Sequence, residues 1–224
     1  MKKKILIPAV VVLVVLVIAG IFTFLKPPVA KDNFYIGNLH AHTTHSDGRN
    51  SYQEMINEAK DLGFSFIAIT DHNTIGQDIM VLCPKEKEIL CIIGEEVSTT
   101  EGHMLAIGIK EIIPQGLTPE ETIERIHEQN GLAIPAHPAA GNGISISRIK
   151  ELSVDAVECS IRHKKAGAPY DCELLPDFPY AYNSDAHKKE ELSMAANKCL
   201  MGGLTFEDLA EAVKNKRCFN FYGE

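Results

Sequence analysis

Phe34-Tyr35-Ile36-Gly37-Asn38-Leu39 is a short, mostly apolar run, and it leads directly into His40-Ala41-His42. The same grammar recurs along the chain. Phe64–Thr70 leads into Asp71 and His72, Cys91–Gly94 into Glu95 and Glu96, Leu132–Pro135 into His137, and Tyr180–Asn183 into Asp185 and His187. Short apolar runs of this kind fit strands buried on both faces. Each one delivers a histidine or a carboxylate at its C-terminal end. In a (β/α) barrel those ends converge on one rim, where active sites are built, whereas a doubly wound sheet would spread them along a line. The pattern therefore predicts an α/β fold with a parallel sheet closed into a barrel.

Helix signals fill the intervals. Ser51 and Glu54 form a capping box, Met55, Ile56, Ala59 and Leu62 follow at helical spacing, and Gly63 stops the helix. Thr118, Pro119 and Glu121 open a second helix that Gly131 ends, and Thr205 caps a third running to about Lys216. Further strands are expected at His103–Ile109, Val154–Glu158 and Cys218–Tyr222. Strand–helix alternation of this kind argues for βαβ units.

Ahead of the domain, Lys2, Lys3 and Lys4 precede an uninterrupted apolar run from Ile5 to Leu25. That run is long enough for a transmembrane helix, which takes roughly 20 residues, and longer than a usual cleavable signal core. Residues 1–26 are thus expected to be a membrane anchor, 27–33 a linker and 34–224 the globular domain, with a removed signal peptide as the alternative. The three leading lysines outweigh Lys26 and Lys31, which keeps the N-terminus cytoplasmic and places the domain outside.

Five of the chain's 22 basic residues but only one of its 30 acidic residues lie in positions 1–32. The remainder is strongly acidic, which argues against a generic nucleic-acid surface. The six cysteines include no C-x-x-C pair, so a zinc ribbon has no support, and buried free thiols are the expectation for most of them.

His-x-His after a strand is a metal-ligand unit, because alternate residues point the same way. His40 and His42 alone are weak evidence. Together with Asp47, His72, Glu96, His103, His137, Asp185 and His187 they make a mixed nitrogen and oxygen set suited to zinc, manganese or iron. Reading these residues as ordinary core would bury many polar groups without reason.

Six segments carry a resemblance: Asn38-Leu39-His40-Ala41-His42-Thr43, Ser46-Asp47-Gly48, Ile69-Thr70-Asp71-His72-Asn73, Gly94-Glu95-Glu96-Val97-Ser98, Ala136-His137-Pro138 and Asn183-Ser184-Asp185-Ala186-His187. In order and wording they resemble the signature motifs of the PHP (polymerase and histidinol phosphatase) family, over roughly residues 34–224. The resemblance implies a distorted (β/α)7 barrel holding two or three divalent ions. It assigns His40, His42, Glu96 and Asp185 to a first ion. Glu96 would bridge to a second, completed by His103 and His137, and Asp47, His72 and His187 would hold a third. Glu96 is preferred to Glu95 because it directly precedes Val97-Ser98.

The expected activity is hydrolysis of a phosphate mono- or diester on a small phosphorylated substrate, with water activated between the ions. A metal-dependent hydrolase of another bond, or a membrane-tethered metal-binding module, is the alternative. Two further residues carry expectations. Asp71 orients a ligand or moves a proton, and Arg162, beside His163, Lys164 and Lys165, contacts phosphate or is a solvated basic loop. Oligomeric state is open.

Overall fold

The computed structural model describes residues 32–138, 140–160 and 171–222. In chain order the elements are β1 (Asn33–Asn38), α1 (Tyr52–Asp61), β2 (Phe66–Ile69), α2 (Gln77–Leu82), β3 (Leu90–Ser98), β4 (His103–Ile107), α3 (Pro119–Glu128), β5 (Leu132–Pro135), α4 (Ile146–Ile149), β6 (Val157–Ser160), β7 (Tyr180–Asn183), β8 (Asn197–Met201), α5 (Phe206–Lys214) and β9 (Cys218–Asn220).

Local chemistry sets the helices where the sequence predicts them. The Ser51 hydroxyl accepts from the Glu54 amide while the Glu54 carboxylate accepts from the Ser51 amide, and Thr118 and Glu121 repeat the device at α3. Gly63 has φ +73°, the left-handed turn that releases α1 without a Cβ penalty. Thr205 caps α5 through the Asp208 amide.

The sheet departs from the expected parallel barrel. Seven strands form one mixed sheet in the order β5-β4-β3-β2-β1-β8-β9, and β6 pairs with β7 in a separate two-stranded sheet. β1, β2 and β3 are mutually parallel, but β3–β4, β4–β5, β1–β8 and β8–β9 are antiparallel. The result is a curled half-barrel with few helices, not a ring of parallel strands. The physical reason lies first in the 99–102 turn. Thr99 N bonds Gly102 O at 2.9 Å, and four residues are too few for a crossover, so β4 must return antiparallel. Helices α3 and α5 precede strands that antiparallel neighbours flank, so alternation in sequence did not imply parallel pairing. The segments flanking the β6–β7 pair tie it to the larger sheet: Asp155 N, ahead of β6, bonds Ala133 O of β5 (3.0 Å), and Ala186 O, past β7, accepts from His42 N, past β1 (2.8 Å).

Period two divides the buried strands between two cores. Ile67 and Ile69 join Tyr52, Met55 and Ile56 of α1 and Ile123 and Ile126 of α3 on one face. Phe66 and Ala68 join Leu105, Ile107, Ile134 and, from α5, Leu209, Ala212 and Val213 on the other. All four β2 residues are fully buried, each large one worth roughly 1.5–3 kcal/mol.

Two other expectations are corrected. Among the described residues no helix is long and apolar enough to cross a membrane, and the apolar run 5–25 on which membrane placement rested lies outside the described residues. The cysteines are not free thiols. Cys83 pairs with Cys91, Cys159 with Cys172 and Cys199 with Cys218. Sequence spacing hid these pairs because topology makes them: Cys199 and Cys218 face each other directly across the β8–β9 ladder. Since that bond fastens the sheet's edge strand, replacing both cysteines by serine is expected to lower stability by about 2–4 kcal/mol in urea unfolding. An unchanged midpoint would show that the bond contributes nothing there.

Candidate metal centre

One direction of strand gathers the ligands. β1, β2, β3 and β5 run the same way, so residues just past β1, β2 and β5, and those late in β3, reach one rim. β4 runs the other way, and its first residue, His103, therefore starts at that same rim, opposite Ser98. Ala41 pairs with Ala186 in a parallel bridge, which sets the segment after β7 beside the segment after β1.

Glu96 lies within β3, not after it, and is fully buried. Its Oε2 is 3.0 Å from His40 Nε2, 3.2 Å from His42 Nε2 and 3.4 Å from His72 Nδ1. Its Oε1 is 2.9 Å from His103 Nδ1 and 2.8 Å from His137 Nε2. Glu95 points to the opposite face, as period two requires, and its Oε2 accepts from Ile113 N at 2.9 Å. Burial, partly countered by that bond, pushes the Glu95 carboxyl up to about 7.

Three groups of potential ligand atoms emerge, each within 4.8 Å of one another: His40, His42, Glu96 and Asp185; His72, Glu96 and His103; and His42, Asp47, His72 and His187. The structure thus brings together all nine metal-ligand candidates of the sequence, with His42, His72 and Glu96 each lying in two groups. His137 joins through its contact with Glu96. Asp47 is the open side of the cluster, with half its side chain exposed, 3.1 Å from His187 Nε2. Gly48 has no room for a side chain, since a Cβ would fall 2.5 Å from His42 O, and this lets the loop fold tightly under Asp47.

The donor set fits a divalent cation. His40 Nδ1 lies 2.7 Å from Glu158 Oε1, and a proton there leaves Nε2 as a lone pair. That lone pair faces His42 Nε2 at 3.0 Å, Glu96 Oε2 at 3.0 Å and Asp185 Oδ1 at 3.2 Å. So many buried acceptors converge only where positive charge holds them together. In the metal-free chain protons take that part. Burial pushes His40 down, but Glu158, Glu96 and Asp185 outweigh it and hold it well above the usual imidazole range. Burial likewise opposes His42, yet hydrogen bonds to Asp185 and Glu96 raise it to about 9. Glu96 is held well below the carboxylate range despite burial, by His40, His103 and His137. Burial would raise Asp47 too, but His42, His187 and His72 lower it. His72 is lowered, chiefly by burial.

Asp71 is buried and is not part of the three ligand groups. It accepts from Thr43 N at 2.8 Å, Thr43 Oγ1 at 2.7 Å and Ser46 Oγ at 2.6 Å, and so shapes the loop that carries His42 and Asp47. Arg162 and His163 lie outside the described residues. His45 is exposed and pairs with Asp78, and His127 pairs with Asp155.

Sequence reading missed a buried polar scaffold behind the ligands. Asn38 Nδ2 donates to Ser184 Oγ at 2.9 Å, and its Oδ1 accepts from His40 N at 2.9 Å. Asn183 Oδ1 accepts from Leu39 N at 3.1 Å and Asn197 Nδ2 at 3.0 Å. Glu158, also fully buried, sits among them. Its one sequence signal was a carboxylate inside the apolar run Ala156-Val157-Glu158-Cys159.

A PHP domain family model matches residues 38–184. The chain belongs to the PHP domain family. An uncharacterized protein of Methanocaldococcus jannaschii is 40% identical over 135 residues, covering 54% of this chain and 78% of that protein. Among solved structures, this PHP domain is similar to a two-domain Bacteroides vulgatus protein containing a predicted PHP-like metal-dependent phosphoesterase. The TM-score is 0.67 at 16% identity, over 88% of this chain and 67% of that one. It is also similar to a lesion-specific endonuclease of Pyrococcus furiosus, with TM-score 0.62 at 20% identity, over 82% of this chain and 56% of that one. At such identities the likeness establishes the fold: that of PHP-like metal-dependent phosphoesterases, here with its His, Glu and Asp clusters in place.

A cation needs the lone pairs that protons occupy in the metal-free PHP domain. With His42 raised to about 9, zinc uptake at neutral pH is expected to release protons. Titration calorimetry in two buffers of different ionisation enthalpy should give different apparent enthalpies. Equal enthalpies would show that no proton leaves.

Proposed function

We propose that this domain hydrolyses phosphate mono- or diesters with two or three divalent ions, manganese, zinc or iron, held by His40, His42, Asp47, His72, Glu96, His103, His137, Asp185 and His187. The observation that carries this reading is the Glu96 carboxylate, whose two oxygens lie within 3.4 Å of five imidazoles from four different segments. A carboxylate shared in that way suits a bridge between ions. Ions so placed would activate water and neutralise charge on phosphoryl oxygens.

The residues themselves supply position and access. As metal ligands the imidazoles would be neutral and the three carboxylates anionic, so two or three divalent ions would leave the cavity positive, which suits a phosphate ester. His40, His42 and Glu96 form a buried floor, while Asp47, His72 and His187 are partly open to solvent. Substrate then approaches from the Asp47–His187 side. Asp71, bonded to Thr43 and Ser46, would orient the loop that carries His42 and Asp47. The endonuclease among the structural neighbours is a reason to test a diester beside a monoester.

Manganese-dependent hydrolysis of paired generic phosphomonoester and phosphodiester substrates by this protein is expected. The His187→Ala variant should lose activity by about 100-fold or more while keeping its fold, as loss of an oriented metal ligand implies. Full activity in that variant, or no hydrolysis of either substrate by a metal-loaded protein, would overturn the reading.

A further inference from the structure

Glu158 lies at the centre of the β6 strand, fully buried, and its two oxygens meet groups from three separate ligand-bearing segments. Oε1 lies 2.7 Å from His40 Nδ1 and accepts from Asn183 Nδ2 at 3.0 Å. Oε2 accepts from His137 N at 2.6 Å. Two of these three partners, the Asn183 amide and the His137 backbone N–H, can only donate, so Glu158 serves there as an acceptor. β6 itself contributes no residue to the three ligand groups. A carboxylate buried here without function would be costly, since its desolvation is repaid only by these bonds.

We infer that Glu158 is the positioning residue of the metal centre: it fixes the His40 tautomer and the His137 backbone so that both rings present lone pairs to the ions. The inference rests on the metal-site reading above and adds a residue outside the ligand set. Its chemistry is specific at each contact. A proton held on His40 Nδ1 by Glu158 obliges Nε2 to face the cluster as a lone pair, and the anionic partner makes that nitrogen a stronger donor to a cation. His137 has φ +31°, a backbone conformation that L residues rarely adopt. The bond from its amide to Glu158 Oε2 holds that turn and so aims the His137 ring at Glu96. Asn183 carries the same linkage to the end of β7, two residues before Asp185. One carboxylate thereby ties the two-stranded sheet to the segments past β1 and β5.

Glu158→Gln keeps the shape and removes one acceptor. Whichever way the amide turns, its NH2 faces a donor, either His137 N–H or His40 Nδ1–H. Facing His40, it favours the opposite tautomer and turns an N–H toward the ions.

The test is zinc binding by the whole protein, measured by competition with a chelating indicator and paired with imidazole nitrogen NMR of the zinc-loaded form. Wild type is expected to show His40 protonated at Nδ1, with a downfield proton protected from exchange. Glu158→Gln should bind zinc about 10–100-fold more weakly and lose or shift that proton, with its amide spectrum otherwise that of a folded protein. Equal affinity in the two proteins, or an unmoved His40 proton, would overturn the inference. Should the variant not fold, the wild-type spectrum still decides, because a His40 proton on Nε2 would overturn it directly. Failure of wild type to bind zinc or manganese at all would instead count against the proposed function.

Discussion

A buried carboxylate surrounded by imidazoles is the constraint on which this structure turns. Glu96 has almost no exposed surface, and nothing apolar compensates its charge. Desolvation of a lone carboxylate would be prohibitive, so positive charge must meet it, either as protons on the surrounding rings or as bound cations. Every element that reaches the rim can be understood as bringing a ring or a second carboxylate to that point. The apolar layers then serve a positional purpose as well as a stabilising one, because close-packed cores transmit small displacements to the rim.

The outer scaffold shows the same economy of charge. Asn38, Asn183, Ser184 and Asn197 are all buried, and each of their bonds runs between backbone segments that bear ligands or adjoin them. Such networks are favourable only when fully connected, and in that condition they specify one arrangement. Asp71 does for the Thr43–Ser46 loop what Glu158 does for β6. Both are buried carboxylates that join segments distant in sequence, Asp71 to Thr43 and Ser46, and Glu158 to His40, His137 and Asn183.

Much of the site was legible in the sequence because ligand placement follows strand ends, and strand ends are marked by a change from apolar to polar residues. His40, His72, His137 and Asp185 stand just past such boundaries, and the capping boxes at Ser51 and Thr118 mark helix starts with similar clarity. Direction was not legible. Apolar runs look the same in either orientation, so the pattern reads β4 as parallel even though the Thr99–Gly102 interval is too short for a crossover, and β8, where polar Asn197 and Lys198 open the strand, carries no run that marks it at all. Cysteine pairing escaped for a related reason, since partners such as Cys199 and Cys218 meet through the topology. Glu158 escaped because the expected strand Val154–Glu158 ends on it with no histidine beside it, whereas the strand formed, β6, runs on to Ser160 and buries it.

The reversed strand β4 has a consequence for how this site tolerates change. His103 faces the cluster because it stands opposite Ser98, two residues along β3 from Glu96 on the same side of the sheet. The hairpin is therefore a gauge of register and not of length. A longer turn between Thr99 and Gly102 would leave the ring where it is, whereas a slip of a single residue between the strands would put Met104 in its place and turn the imidazole to the opposite core.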